Sequence, residues 1–504
     1  MSGKRREIAP AGLIDLANER LGGAALVTND EFFAPMENLV RDTDPIWQEG
    51  LYTERGKWMD GWESRRRRTP GHDWCILRLG LPGIVHQLVV DTAFFRGNFP
   101  EACSVEACAL EGTPTPAALE QAPWAPLLDR SLLQGDHRNV FDLQDPRRVT
   151  HLRLNIFPDG GVARLRVYGQ VLLEPEILDR GGELDLAALE MGGRALGWSD
   201  AFFGAASSML LPGRGINMGD GWETRRRRGP GHDWAVIELA TQATLARAVV
   251  DTWHFKGNAP GSCEIEGANL SEPWSPEAEI DWRPLLERSA LQPHTLHTFA
   301  LAPDLDPLTH VRLKIHPDGG VSRLRLFGHP TGAGRRAARL RHFNALAAPQ
   351  AAAALLRCCA APRWAGQVAD QRPFDSLEAL LKAADEAWAL AQEPDWRAAF
   401  DAHPRLGERK AAADLSAQTR RWSQQEQSGL DAADDAARQA LAEANRAYEE
   451  RFGFIFLLCA SGLGPEAMLE ALRQRLPNAH PQEIRIAAAE QHRITRLRLE
   501  RMFS

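Results

Sequence analysis

MDGWESRRRRTPGHDW at residues 59–74 returns as MGDGWETRRRRGPGHDW at 218–234. The repetition spreads outward from there. Asp60 corresponds to Asp220, Gly97-Asn98 to Gly257-Asn258 and Pro158-Asp159 to Pro317-Asp318, a spacing of about 160 residues each time. Solenoid repeats recur every ~20–50 residues, so this period marks two copies of one domain. Short apolar runs surround the motif: LVVDTAFF (88–95), HLRLNIF (151–157) and ARLRVYG (163–169), then AVVDTWHF (248–255), HVRLKIH (310–316) and SRLRLFG (322–328). They end at Gly, Pro and Asp turns, as strands do. The alternation of Leu152, Leu154 and Ile156, and of Val311, Leu313 and Ile315, predicts one inward and one outward face. Many short strands without long helices predict a jelly-roll-like sandwich in each copy, each large enough for its own core.

Composition changes beyond Gly332-Ala333-Gly334-Arg335-Arg336, which reads as a linker. Residues 376–391, 434–453, 465–476 and 483–503 carry apolar residues at three- and four-residue spacing. Ser376 and Pro465 are helix-start residues. The expected fold is two all-β sandwich domains (1–177 and 178–331) followed by an all-α bundle (338–504). A chain of 504 residues suits about three domains.

The net charge of −8 argues against a general nucleic-acid role despite the arginine runs. No apolar stretch approaches the ~20 residues of a spanning helix, and the first residues hold no secretory pattern. Seven cysteines without a CxxC pair suit a reduced, cytoplasmic chain. Zinc-type Cys/His spacing is absent.

Three clusters recur in both copies: DGWE-x-RRRR-x-PGHDW, DT-x-x-F-x-GN (91–98, 251–258) and PDGG-x-x-RLR (158–166, 317–325). Glycine and proline there are ordinary turn makers, and Trp62, Trp74, Trp222 and Trp234 ordinary core residues. The polar set is the informative part. Arginine offers a rigid fork for a carboxylate, and His with Asp or Glu offers proton transfer or metal binding. The combination, kept twice, suits a small anionic substrate. Candidate catalytic residues are Glu63, His72 and Asp73 with Glu223, His232 and Asp233. Arg66, Arg68, Arg226 and Arg228 are the candidate anion binders.

These motifs resemble those of the allantoicase family over about 15–330. The resemblance implies two jelly-roll sandwiches that hydrolyse allantoate to ureidoglycolate and urea. A divalent metal is the cofactor to test for there. Residues 338–504 resemble the 2-oxo-4-hydroxy-4-carboxy-5-ureidoimidazoline (OHCU) decarboxylase family through PRWA…RPF (362–374), AHPRLG (402–407), WSQQEQSG (422–429) and the segments around Asn445–Phe456 and Ile494–Leu499. That resemblance implies an all-helical, cofactor-free enzyme giving (S)-allantoin. It places the catalytic His on His403, with Ser423, Glu426 and Arg498, and Arg496 as the alternative arginine. It places substrate contacts on Pro404, Gln424, Gln425 and Gln427, and on Phe456, Leu457, Leu458, Cys459 and Ala460. Cys358-Cys359 departs from the family's usual turn.

Both reactions belong to urate breakdown, and a separate allantoinase must act between them. The expected partners are allantoate and OHCU, with no nucleic acid or membrane and with a homo-oligomeric assembly. The competing reading makes the sandwiches a ligand-binding or oligomerisation module attached to the decarboxylase. Substrate turnover separates the two.

Overall fold

The computed structural model describes residues 10, 12–301, 306–403, 435–460 and 463–504. It divides into two compact units, Met1–Ala345 and Leu346–Ser504.

Each copy in the first unit is built round one long strand, Asp73–Asp91 or Asp233–Asp251. In the first copy, the early half of this strand pairs with Ala24–Thr28 and Arg148–Phe157, and its later half with Arg164–Val171 and Arg138–Asp142. All these pairings are antiparallel. The exchange of partners falls at Leu79-Gly80-Leu81-Pro82, where proline offers no N–H to a ladder. One strand thereby serves both layers. Ala102–Cys108 and Ala125–Leu132 extend the sheet outward and Ile14–Asp15 joins Arg164–Val171, giving an eight-stranded sheet; the second copy repeats it.

Leu152, Leu154, Ile156, Val311, Leu313 and Ile315 are fully buried, as their alternation predicts. Trp62 and Trp222 lie in the core, whereas Trp74 and Trp234 are only half-buried. They stand between buried neighbours on a strand, so the period of two turns them outward. The two copies do not keep separate cores: one cluster runs from Ile14 through Trp62 and Leu154 to Trp222, Leu313 and Leu326.

The segment read as a linker is helical. Gly332–Ala345 forms one helix that packs within the first unit. Thr331 Oγ1 accepts from Gly334 N at 2.9 Å, and Gly334 O accepts from Thr241 Oγ1 at 2.7 Å. A Cβ on Gly334 would stand 2.1 Å from the Gln242 carbonyl oxygen, so this glycine serves close packing.

The second unit comprises, among the described residues, helices Ala348–Leu356, Pro362–Ala369, Leu377–Ala389, Glu393–Asp401, Asp435–Phe452, Pro465–Arg475 and His480–Phe503. Ser376 caps its helix by accepting from Ala379 N at 3.1 Å, and Pro465 opens its own. Trp364, Phe400, Tyr448 and Leu499 fill the interior. Among the described residues no helix is long and apolar enough to cross a membrane.

Candidate functional site

The three repeated motifs meet at one end of each sandwich. In the first copy, Trp62–Glu63 pairs with Gly161–Val162. Ser64 N donates to Gly160 O at 3.1 Å, Asp73 N to Pro158 O at 3.2 Å and Gly161 N to Asn98 O at 2.8 Å. Arg67 N donates to Asp159 Oδ2 at 2.9 Å, and Arg227 N repeats this on Asp318 at 2.7 Å. The closeness depends on glycine. A Cβ on Gly161 would stand 1.9 Å from the Phe95 ring, and one on Gly320 2.0 Å from Phe255.

Glu63 is buried at this junction, and Asn98 Nδ2 donates to its Oε1 at 2.7 Å. Burial lifts its pKa above the ordinary carboxylate range, with the Asn98 bond opposing. Asn258 holds Glu223 in the same way at 2.6 Å. Behind them, Arg164 grips buried Asp60 at 2.9 Å, and Arg323 grips Asp220 at 2.9 Å.

The arginine runs are irregular loops and divide by task. Arg65 pairs with Asp30 at 2.7 Å and Arg225 with Asp200 at 2.8 Å. Arg67 pairs with buried Asp73 at 2.5 Å, and Asn29 Nδ2 also donates to Asp73 at 2.9 Å. Arg227 pairs with Asp233 at 2.6 Å, joined by Ser199 Oγ at 3.0 Å. Arg66, Arg68, Arg226 and Arg228 are exposed and form no ion pair among the described residues. His72 lies against Phe157, ring centres 4.7 Å apart, and His232 against His316 at 5.0 Å. Burial and then Lys314 push the His232 pKa down, Glu264 opposing.

So the structure unites Glu63 with Asn98 and Asp73 with Arg67. No side-chain hydrogen bond among the described residues joins His72 to either carboxylate. Asn98, Asn258, Arg164 and Arg323 stand within the motifs without a role legible in the sequence beyond their repetition. Among the described residues no group of three or more His, Cys, Asp or Glu is placed to hold a metal ion.

In the helical unit, His403 follows helix Glu393–Asp401, its backbone N–H donating to Phe400 O at 3.0 Å. Burial, and after it the Arg498 charge, drive its pKa down to about 3, with the nearby Gln491 side chain opposing. Arg498 is itself buried, while Arg496 points outward to Asp385 at 2.6 Å. The stretch from Phe456 to Ala460 is pinned from behind. Arg475 Nη1 donates to Leu457 O at 2.8 Å, and Glu490 Oε2 accepts from Cys459 N at 2.8 Å. Leu458 is half-buried between them. Fully buried Glu483 accepts from Tyr448, Arg475 and Asn478 and so fixes Arg475. Burial raises the Cys359 thiol to about 11, with a Thr495 hydrogen bond opposing. Pro404, Ser423, Gln424, Gln425, Glu426 and Gln427 lie outside the described residues.

The allantoicase repeat family model matches residues 14–172 and 184–331, and the OHCU decarboxylase model matches 344–500. A probable allantoicase of Pseudomonas aeruginosa (strain UCBPP-PA14) is 48% identical over 324 residues, covering 63% of this chain and 96% of that protein. The crystal structure of allantoicase from Saccharomyces cerevisiae is similar at 35% identity with a TM-score of 0.55, over 63% of this chain and 94% of that one. A crystal structure of OHCU decarboxylase in the presence of (S)-allantoin is 32% identical over 29% of this chain and 95% of that one, with a TM-score of 0.26.

Proposed function

The chain belongs to the allantoicase family through its two repeats and continues into an OHCU decarboxylase domain, and from that premise we propose which residues carry its two reactions. At the repeats, allantoate is hydrolysed to ureidoglycolate and urea. The acid/base group is Glu63 in one copy and Glu223 in the other. The supporting observation is Glu63 itself: buried, held by Asn98 on one oxygen, and lifted in pKa so that it can carry a proton.

Protonated Glu63 gives its proton to the departing ureido nitrogen as the bond to the central carbon breaks. Urea leaves, and the lone pair of the remaining ureido nitrogen supports the electron-poor carbon. Water adds to that carbon and returns a proton to the Glu63 carboxylate. Exposed Arg66 and Arg68, or Arg226 and Arg228, pair with the substrate carboxylate. Asp73 and Asp233 brace Arg67 and Arg227. Because both copies keep the Glu–Asn pair, each repeat carries a site.

In the helical unit, His403 handles the proton that accompanies loss of CO2, and Arg498 pairs with the substrate anion, without a cofactor. The product, (S)-allantoin, must be ring-opened by a separate allantoinase before the repeats can use it. Seven cysteines outside any disulfide support a reducing, cytoplasmic setting. Exposed Tyr52, Phe202, Phe203 and Ile216 support a homo-oligomer.

The test is urea release from allantoate by full-length chain carrying Glu63→Gln, Glu223→Gln or both, before and after EDTA. Each single variant should keep about half the turnover, and the double variant should lose ~100-fold or more. Full activity in the double variant refutes the assignment. Loss on EDTA treatment with recovery on added metal restores the metal reading.

A further inference from the structure

Helix His480–Phe503 turns one face toward His403. Gln491, Thr495 and Arg498 succeed one another on it at spacings of four and three, and all are buried. These spacings stack side chains on one side of a helix. Gln491 is fully buried and commits its amide nitrogen to Thr495 Oγ1 at 3.1 Å. Thr495 is anchored in turn by a hydrogen bond with the Cys359 thiol.

A primary amide has one donor end and one acceptor end. The Gln491 side chain acts on His403 in the sense that raises its pKa, as an oxygen accepting from a ring N–H does, so the carbonyl oxygen is the end turned to His403. The alignment is loose, because Gln491 Oε1 is buried without a well-formed bond. Contacts between catalytic groups are often long without substrate and tighten in the reacting complex. Leaving a buried carbonyl oxygen unpaired is unfavourable, so closing on a ring N–H is favoured.

We propose that Gln491 is a positioning residue of the decarboxylation: its carbonyl oxygen accepts the N–H of one His403 ring nitrogen and thereby presents the other, unprotonated, to substrate. This rests on His403 being the proton-transfer group. The two ring nitrogens differ in role, and the partner of one sets the state of the other. Arg498 on the same helix, together with burial, keeps the ring neutral, so the tautomer rather than the charge must be selected. Among the described residues, the charged and titratable groups that face this cluster are Arg498 and, behind Thr495, Cys359 with Asp395 beyond it. Thr495 fixes which way round the amide sits, and Cys359 belongs to the Cys358-Cys359 pair that departs from the family's usual turn.

The experiment compares Gln491→Leu, Gln491→Glu, Thr495→Val and His403→Ala in the full chain, reading kcat, KM and the pH profile of decarboxylation beside a thermal melt. Gln491→Leu should lower kcat by about 10–100-fold and leave KM within about twofold. Thr495→Val, which frees the amide to flip, should give a smaller loss of the same kind. Gln491→Glu keeps the shape and an acceptor. It should recover part of the rate and move the acid limb of the kcat profile upward, because a carboxylate beside the ring favours its protonated form. Should Gln491→Leu fail to fold, the Gln491→Glu profile decides alone. An unmoved profile, or full kcat in the leucine variant, overturns the proposal. His403→Ala separates the underlying reading: if it still decarboxylates, the role of His403 falls, whereas its inactivity beside fully active Gln491 variants removes only Gln491.

Discussion

Arg20 of the first repeat clasps Asp220 of the second through two hydrogen bonds, Nη1–Oδ1 at 2.5 Å and Nη2–Oδ2 at 2.8 Å. The matching position in the second repeat is Glu190, so the clasp is made in one direction only. Asp60, the counterpart of Asp220, is held by Arg164, the Ile46 amide and Arg41. Duplicated domains thus diverged where they meet and stayed alike where the motifs converge. Burial works against the Asp220 charge, but Arg20, the Ile216 amide and Arg323 outweigh it and hold its pKa below the ordinary carboxylate range. Arg20→Ala should cost about 1–3 kcal/mol at neutral pH, read as a lower urea midpoint. A carboxylate of lowered pKa stabilises above its unfolded pKa and loses that contribution as acid protonates it. The gap between variant and parent should therefore close below about pH 4.

Gly161 admits no side chain, because a methyl group would enter the Phe95 ring. Gly161→Ala should part the Trp62–Glu63 strand from Gly161–Val162 and lower the melting temperature, at a cost of about 1–3 kcal/mol from overpacking. Gly97→Ala, where a Cβ meets nothing within 4 Å, is the control and should melt like the parent.

Arg67 and Arg66 are neighbours with different tasks. Removing Arg67 takes the countercharge from Asp73, leaving its Oδ1 to Asn29 while its Oδ2 is already buried without a partner. Arg67→Ala should destabilise by about 2–4 kcal/mol, measured by urea unfolding. Arg66→Ala with Arg68→Ala should leave the midpoint within about 0.5 kcal/mol and raise KM for allantoate about tenfold or more. Unchanged KM would remove these arginines from substrate binding.

The duplication, the strand class and the helix starts at Ser376 and Pro465 were legible because they rest on local signals: period, alternation and capping. The pairings that make the candidate sites were not. Asn98 reaches Glu63 from 35 positions away and Arg164 reaches Asp60 from 104, and both depend on how three loops close. Gly332–Arg336 reads as a linker since two glycines look like punctuation. Only the packed Gln242 carbonyl reveals that one of them is needed inside a helix. The merged core has no sequence signature, because an apolar face looks the same whichever copy covers it. Arg498 and Arg496 sit two positions apart, and the helical turn alone decides which faces inward.

His403 also sets an acid sensitivity. Its pKa falls to about 3 in the folded chain through burial and then the Arg498 charge, whereas an unfolded histidine titrates near ~6.5. Between those values the unfolded state binds more protons, so stability rises with pH there. The contribution is complete above about pH 6.5 and declines by at most ~1.4 kcal/mol per pH unit below it. Asparagine at this position removes the titration while keeping a polar side chain. The urea midpoint of His403→Asn, compared with the parent from pH 7.5 down to 4.5, should gain on the parent steadily below about 6.5. The same variant should lack decarboxylation and keep allantoate hydrolysis. A constant difference in midpoint across that range would mean that the ring titrates normally, and a neutral imidazole could then no longer explain the chemistry of the helical unit.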